Sequence, residues 1–224
     1  MEQVSEHVWW MRPGPPDRPS LCGVVGERWT LALDAGSSRA HARAFLDGLP
    51  SRPGAVVYTH SHWDHVFGGV ELDALVIAHR LTAERLLELA TRDWSDEGLE
   101  ARVAAGLSSP EHAAHVREEL PSPRTVEIVP ADIVFDDGLD LDLGGATARV
   151  RHVGGAHAAD SSVILVEPDG VLFLGDALCD PPDDRLVRTI FELPAELYVE
   201  GHHPIVSTRP ELEAIVEELR SDLH

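Results

Sequence analysis

The 224-residue chain contains no lysine and no asparagine, and only two cysteines, two methionines and two tyrosines. Without lysine, arginine is the only ordinary fixed cation, and the balance of 18 basic against 39 acidic residues leaves a formal charge of −21. Such a field repels phosphate backbones and anionic headgroups, so general binding to nucleic acid or to an anionic membrane surface is disfavoured, a local arginine patch aside. Cys22 and Cys179 stand far apart and neither belongs to a CxxC. That excludes a thiolate metal knuckle and favours free thiols in a reducing compartment. No run of about 20 apolar residues is present, which excludes a membrane-spanning helix. The opening "MEQVSEHVWWMRPGPP" has no basic flank leading into an apolar segment, so no secretory signal is expected and the expected location is cytoplasmic.

What is there, at 43% hydrophobic, is enough for one substantial core, and the expected organisation is a single domain over residues 1–224. "EHVWWMR" and "LCGVVGERWTLALDAG" read as short strands around a Pro-rich loop, the second pair turning at Gly26-Glu27-Arg28. "SSRAHARAFLDGL" has a serine cap and helical spacing, and "GAVVYTH" is an apolar run of strand length. After the strand "ALVIAH" come three helix-like segments, a helical insertion around 80–120, with caps expected at Thr82, at Ser95 or Asp96, and at Ser108 or Ser109. From Val126 the pattern is strands and turns: "VEIV", "IVFDDG", "LDLDLGG", "TARVRHVGG", "SSVILVEPDG", "VLFLGD", then "ELYVEGH" and a last helix "RPELEAIVEELRSDL". Two strand-rich halves, each followed by helices, predict an α/β sandwich with facing sheets and outer helices.

The densest chemistry lies in "THSHWDH", residues 59–65, directly after the buried strand "GAVVYTH". Three imidazoles and a carboxylate so close together repel when protonated and lose hydration when buried, so they call for a compensating cation. In an extended segment His60 and His62 share a face about 6–7 Å apart, suited to one ion, while Asp64 and His65 come where the chain turns and suit a second. Further ligand types recur at strand ends: His157 in "HVGGAHAADSS", Asp176 in "LFLGDAL" and His202 in "LYVEGHH". A carboxylate at such a position can bridge two divalent ions about 3.5–4 Å apart, which makes Asp176 the candidate bridge.

The order HxHxDH, His in a glycine-rich turn, GD, then GH resembles the metallo-β-lactamase-fold hydrolase superfamily across nearly the whole chain. The resemblance implies an αββα sandwich of two mixed β-sheets with outer helices and the metals at one edge. It also implies that His60, His62 and His157 hold a first metal, that Asp64, His65 and His202 hold a second, and that Asp176 bridges them. It favours His202, directly after Gly201, over His203. The sequence departs from the pattern beside His157, where Ala156 and Ala158 replace the common proline and threonine.

The implied cofactors are two divalent ions, zinc first, with iron or manganese as alternatives. The implied chemistry is hydrolysis by a metal-bridging hydroxide, with Asp64 and Asp176 as the catalytic carboxylates. By elimination the substrate is a small ester, thioester or lactone. Exported β-lactamases differ in signal, glyoxalase II-type thioesterases carry a helical domain after the last ligand, and nucleases carry recognition elements and the opposite charge. The alternatives are an iron-dependent oxidoreductase resembling persulfide dioxygenases, β-lactam or phosphodiester hydrolysis, and a protein using the metals for stability alone. The expected partner is a small molecule, and a homo-oligomer is left open.

Trp63 inside the motif is read as core or substrate wall, and Arg12, Cys179 and Arg185 as candidate substrate contacts, with the loop at 13–19 as a candidate flap. Arg185 and Arg188 also fit surface pairing with Asp183 or Asp184. His152 reads as a support or core residue, and His112 and His115 as a solvated helical face. His7, His41, His79 and His224 show no partner pattern. "DDGLDLDL" lacks EF-hand spacing and reads as a hairpin.

Overall fold

The computed structural model describes residues 1–221; His224 lies outside the described residues. In the N-terminal half, β1 (Glu2–Gln3), β2 (Val8–Met11), β3 (Leu21–Val25), β4 (Thr30–Leu33), β5 (Pro53–Val57), β6 (Leu75–His79) and β7 (Ile133–Phe135) form a seven-stranded sheet in that order. It runs antiparallel from β1 to β4 and parallel from β4 to β7. The second sheet has six strands: β8 (Gly138–Asp142), β9 (Thr147–His152), β10 (Ser162–Glu167), β11 (Val171–Gly175), β12 (Leu197–Glu200) and β13 (Ser207–Thr208), ordered β13-β12-β11-β10-β9-β8. Only its β11–β12 pair is parallel.

Strand periodicity sorts the apolar side chains into three layers. Leu31, Leu33, Ala55 and Val57 of the first sheet meet Ile164, Val166, Val171 and Phe173 of the second between the sheets. The residues in between point outward. Ala32, Val56 and Val76 pack under α1 (Arg39–Gly48), α2 (Trp63–Val66), α3 (Gly69–Leu72), α4 (Arg80–Ala90), α5 (Asp96–Ala104) and α6 (Pro110–Glu119), through Phe45, Trp63, Leu86, Leu99 and Val116. Val163, Leu165, Leu172 and Leu174 pack under α7 (Asp184–Glu192) and α8 (Arg209–Ser221), through Leu186, Ile190, Leu212 and Val216. The result is the expected αββα sandwich, in which each fully buried aliphatic or aromatic side chain contributes about 1.5–3 kcal/mol. No described helix is long and apolar enough to cross a membrane. Cys22 and Cys179 are both free.

Two local expectations are corrected, and one helix is added. "VEIV" forms no strand: the free edge of β6 is taken by β7, and Val126, Ile128 and Val129 pack instead on the helix-side core. Thr82 caps nothing. The N-cap of α4 is His79, and Thr82, one turn in, donates its hydroxyl to Asp160 at 3.0 Å. The segment around Arg185, for which no helix was expected, forms α7, capped by Asp183 and buried through Leu186 and Ile190, four residues apart. Ser95 and Ser109 cap α5 and α6 as expected.

Candidate metal centre

The chain leaves β5 at Val57, bends at Thr59 and runs to His62, which is extended at the N-cap of α2, before turning into that helix. This change of backbone divides the motif. His60 and His62 join His157, from the loop between β9 and β10, with their ligand atoms within 4.8 Å of one another. Asp64 and His65, on the first turn of α2, join Asp176 just past β11 and His202 just past β12, within the same limit. All seven residues singled out in the sequence are therefore brought to one edge of the sandwich. Asp176 Oδ2 lies 3.2 Å from His65 Nε2, 3.4 Å from His202 Nε2, 3.4 Å from His157 Nε2 and 3.9 Å from His60 Nε2. It faces both groups at once.

Two glycines make room for this carboxylate. A Cβ on Gly201 would run into Asp176 Oδ1, and Gly175, at φ +50°, would place one 2.6 Å from Thr59 Oγ1. Only glycine fits both positions comfortably.

Buried partners fix the imidazoles. Asp34 follows β4 in the left-handed region, at φ 61°, which aspartate tolerates better than most residues. Its carboxylate accepts from Thr59 N at 2.7 Å, from Thr59 Oγ1 at 2.8 Å and from His65 Nδ1 at 2.7 Å. Because Thr59 Oγ1 spends its proton on Asp34, it accepts from His60 Nδ1 at 3.0 Å. Both rings thus keep a proton on Nδ1 and turn Nε2 inward, the orientation a metal ligand needs. Asp180 faces His157 Nδ1 at 3.0 Å, and Asp17 faces His202 Nδ1 at 3.4 Å. Asp160 accepts from Ser61 N at 3.0 Å and pairs with Arg85, holding the backbone between His60 and His62.

The charges follow the same division. Burial drives His60 well below the ordinary imidazole range, and burial together with His157 takes His62 down to about 4. Burial also works against a charged His202, but its hydrogen bonds to Asp176 and Asp64 lift it to about 10. His65, likewise opposed by burial, is raised by Asp176, Asp64 and Asp34. In return, and against the upward push of burial, His65 and His202 hold Asp64 and Asp176 below the carboxylate range. In the first group His60 and His62 are held neutral, and the second group keeps protons where a cation would balance its carboxylates.

The residues present fit such cations. His60 Nε2, His65 Nε2 and Asp176 Oδ1 are buried without a hydrogen-bond partner, a costly state that coordination relieves. Five imidazoles and two carboxylates form an N/O donor set of the kind that takes zinc, iron or manganese.

A match to the metallo-beta-lactamase superfamily covers residues 15–218. The chain belongs to this superfamily. Solved structures with the same fold include the inverting sec-alkylsulfatase of a Pseudomonas species, with TM-score 0.71 and 14% identity, covering 97% of this chain and 40% of that one. A second is an archaeal superfamily protein from Sulfolobus tokodaii, with TM-score 0.63, 21% identity and coverage of 97% and 86%. A third is a metallo-beta-lactamase from Pontibacter korlensis, with TM-score 0.66, 18% identity and coverage of 98% and 97%. The chain thus spans well under half of the alkylsulfatase and most of the other two. At these identities the likeness is one of fold. No curated protein matches.

In this member of the superfamily the sheet edge carrying the ligands opens to a cavity of about 670 Å3, roofed by α4, α5 and the start of α6. Trp63 and Cys179 line it, whereas Arg12 and Arg185 do not. Arg12 pairs with Glu2 on the surface, and Arg185 donates to Val153 O at 2.8 Å. The Pro-rich loop does reach the site, but through Asp17, which also meets His115 Nδ1 at 3.0 Å. His112 is half-buried, not on a free helical face; it lines the cavity with its ring 5.9 Å from that of Trp63. His152 stands outside both ligand groups, stacked on His79 at 3.8 Å, and His203 faces Ile205 O at 3.4 Å.

Sequence reasoning missed Asp34, Asp160, Asp180 and Asp17. Asp34 alone carried a signal of the kind used for Asp176, an acid directly after an apolar strand and before Ala35-Gly36.

Proposed function

We propose that this protein is a dinuclear metal-dependent hydrolase that takes two zinc ions and cleaves a small ester, thioester or lactone. The observation that carries the reading is the convergence of His60, His62, His157, Asp64, His65, Asp176 and His202, with His60 Nε2, His65 Nε2 and Asp176 Oδ1 buried and without a hydrogen-bond partner. His60, His62 and His157 would hold one ion, Asp64, His65 and His202 the other, and Asp176 both. Bound there, such ions supply a Lewis acid for the scissile carbonyl and a water made acidic enough to attack near neutral pH.

The rest is the work of the chain. Asp34 and Thr59 keep the His60 and His65 lone pairs directed inward throughout turnover. Asp64 and Asp176 accept the hydrogen bonds of the attacking water, fix its orientation and relay its proton toward the leaving group. Trp63 and Cys179 wall the reacting centre beneath the roof of α4 to α6. The acidic surface disfavours nucleic-acid substrates.

The test is an assay of the zinc-reconstituted protein against esters, thioesters, lactones, β-lactams and phosphodiesters. Turnover of an ester, thioester or lactone is expected, falling by about 100-fold or more in Asp176→Ala, the scale of losing one electrostatic stabiliser. Undiminished turnover in that variant overturns the assignment of Asp176, and oxygen consumption with a persulfide in place of any hydrolysis overturns the reaction class.

A further inference from the structure

The roof of the cavity carries a feature that the metal chemistry does not use. Arg92, just after α4, and Arg102, on α5, both reach the ring of Trp94, their guanidinium carbons 5.5 Å and 4.7 Å from its centroid, and all three residues line the cavity. Arg102 Nη1 donates to Asp93 O at 2.6 Å, but Arg102 Nη2 is buried with no partner. Among the described residues no carboxylate comes within 4.0 Å of either guanidinium.

The neighbouring arginines behave differently. Arg85, on the same wall, is committed to Asp160, and Arg117 and Arg124 both pair with Asp96. In a chain with 39 acidic and 18 basic residues, Arg92 and Arg102 share one indole with no carboxylate at ion-pair distance, Asp93 acting on Arg102 only from farther off. Stacking on the indole accounts for where the guanidinium groups sit. It accounts neither for the stranded Nη2 nor for holding two like charges near each other. The cost is visible in Arg102 itself, which burial and the charge of Arg92 push below the ordinary guanidinium range.

We propose that Arg92 and Arg102 form an anion subsite that binds an acidic group of the substrate, in the simplest case a terminal carboxylate, while the scissile bond lies at the metal centre. This rests on the hydrolase reading and narrows its substrate class to esters, thioesters or lactones that carry an oxyanion. A planar oxyanion offers the two acceptors that a guanidinium fork matches, satisfies Nη2 and offsets the repulsion between the two positive charges. Trp94 and Leu89 give the intervening carbon chain an apolar surface. Asp17, on the lining beside His202, repels an acid placed at the metal end, so the subsite sets the direction in which the substrate enters.

The test uses zinc-loaded protein and two chromogenic esters, the 4-nitrophenyl monoester of adipic acid and the same ester with its free carboxylate capped as a methyl ester. Binding of adipate is measured in parallel by calorimetry. The wild type is expected to prefer the acidic ester by about tenfold or more in kcat/KM, the scale of one charge-assisted pair. Arg92→Gln and Arg102→Gln should each remove most of that preference and weaken adipate, leave the capped ester within twofold, and differ from Arg52→Gln, which lies off the cavity. Equal kcat/KM for the two esters in the wild type overturns the proposal, and so does adipate binding that is absent or unchanged in the variants. If neither ester is cleaved but adipate binds in an arginine-dependent way, the subsite stands and the hydrolase reading falls. Should Arg102→Gln fail to fold for want of its stacking on Trp94, Arg92→Gln, at the more exposed of the two positions, decides alone.

Discussion

Replacing Asp34 tests how the site is held, because this residue touches no substrate and sits beneath the ligands. Its carboxylate accepts three hydrogen bonds, from Thr59 N at 2.7 Å, Thr59 Oγ1 at 2.8 Å and His65 Nδ1 at 2.7 Å, in a wholly buried setting. In Asp34→Ala the hydroxyl can turn elsewhere, but the Thr59 amide and the His65 Nδ1–H are stranded. At about 1–3 kcal/mol for each buried donor left unpaired, the loss is about 2–6 kcal/mol. Asp34→Asn keeps the shape and one acceptor but sets an NH2 where Oδ2 received the His65 proton, a loss of about 1.5–3 kcal/mol for one charge-assisted bond. Freed from its partner, His65 loses its tautomer, and metal affinity should fall about 10–100-fold in both variants. Urea unfolding of the metal-free protein gives the first quantity and competition with a chromogenic chelator the second. An Asp34→Asn protein within about 0.5 kcal/mol of wild type, the spread of an ordinary surface substitution, and within twofold in metal affinity would refute the account of how the imidazoles are oriented.

Proton release on metal binding should be lopsided. His62, lowered to about 4, and His60 are already neutral near neutral pH, whereas His202, raised to about 10, and His65 carry protons there. Calorimetry in buffers of different ionisation enthalpy should therefore find more than one proton released per pair of ions; none released contradicts the charge division. The same raised His202 stabilises the metal-free fold fully below its unfolded value near 6.5, and that contribution is lost as pH rises through about 10. Denaturation midpoints of metal-free protein should decline over that window, and a flat profile counts against it. Gly201→Ala, whose Cβ would meet Asp176 Oδ1, should fold yet lose at least one equivalent of metal, as read by elemental analysis. Retention of wild-type occupancy would mean that Asp176 has room to move.

The seven converging side chains were legible because each belongs to a short motif at a strand end, where backbone direction and a neighbouring glycine constrain the adjoining residues. Their supports were not, because they come from far along the chain: Asp34 reaches His65 across 31 positions and Asp160 reaches Ser61 across 99. Such pairs are set by sheet packing, not by spacing. Apolar periodicity recovered most strands and the helical roof, and it failed where context competed. "VEIV" has strand character, but the edge of β6 is taken by β7, and the buried Leu186 and Ile190 of α7 were masked by the charged run around them. Arg92 and Arg102 gained meaning only once α4 and α5 had placed them about Trp94.

The central claim is that one edge of the sandwich holds two ions through seven side chains. Elemental analysis of freshly purified protein tests it most directly. The account predicts two equivalents of divalent metal, chiefly zinc, falling to one or fewer in Asp176→Ala. A single equivalent of iron, or less than one equivalent of any metal after reconstitution, would contradict it.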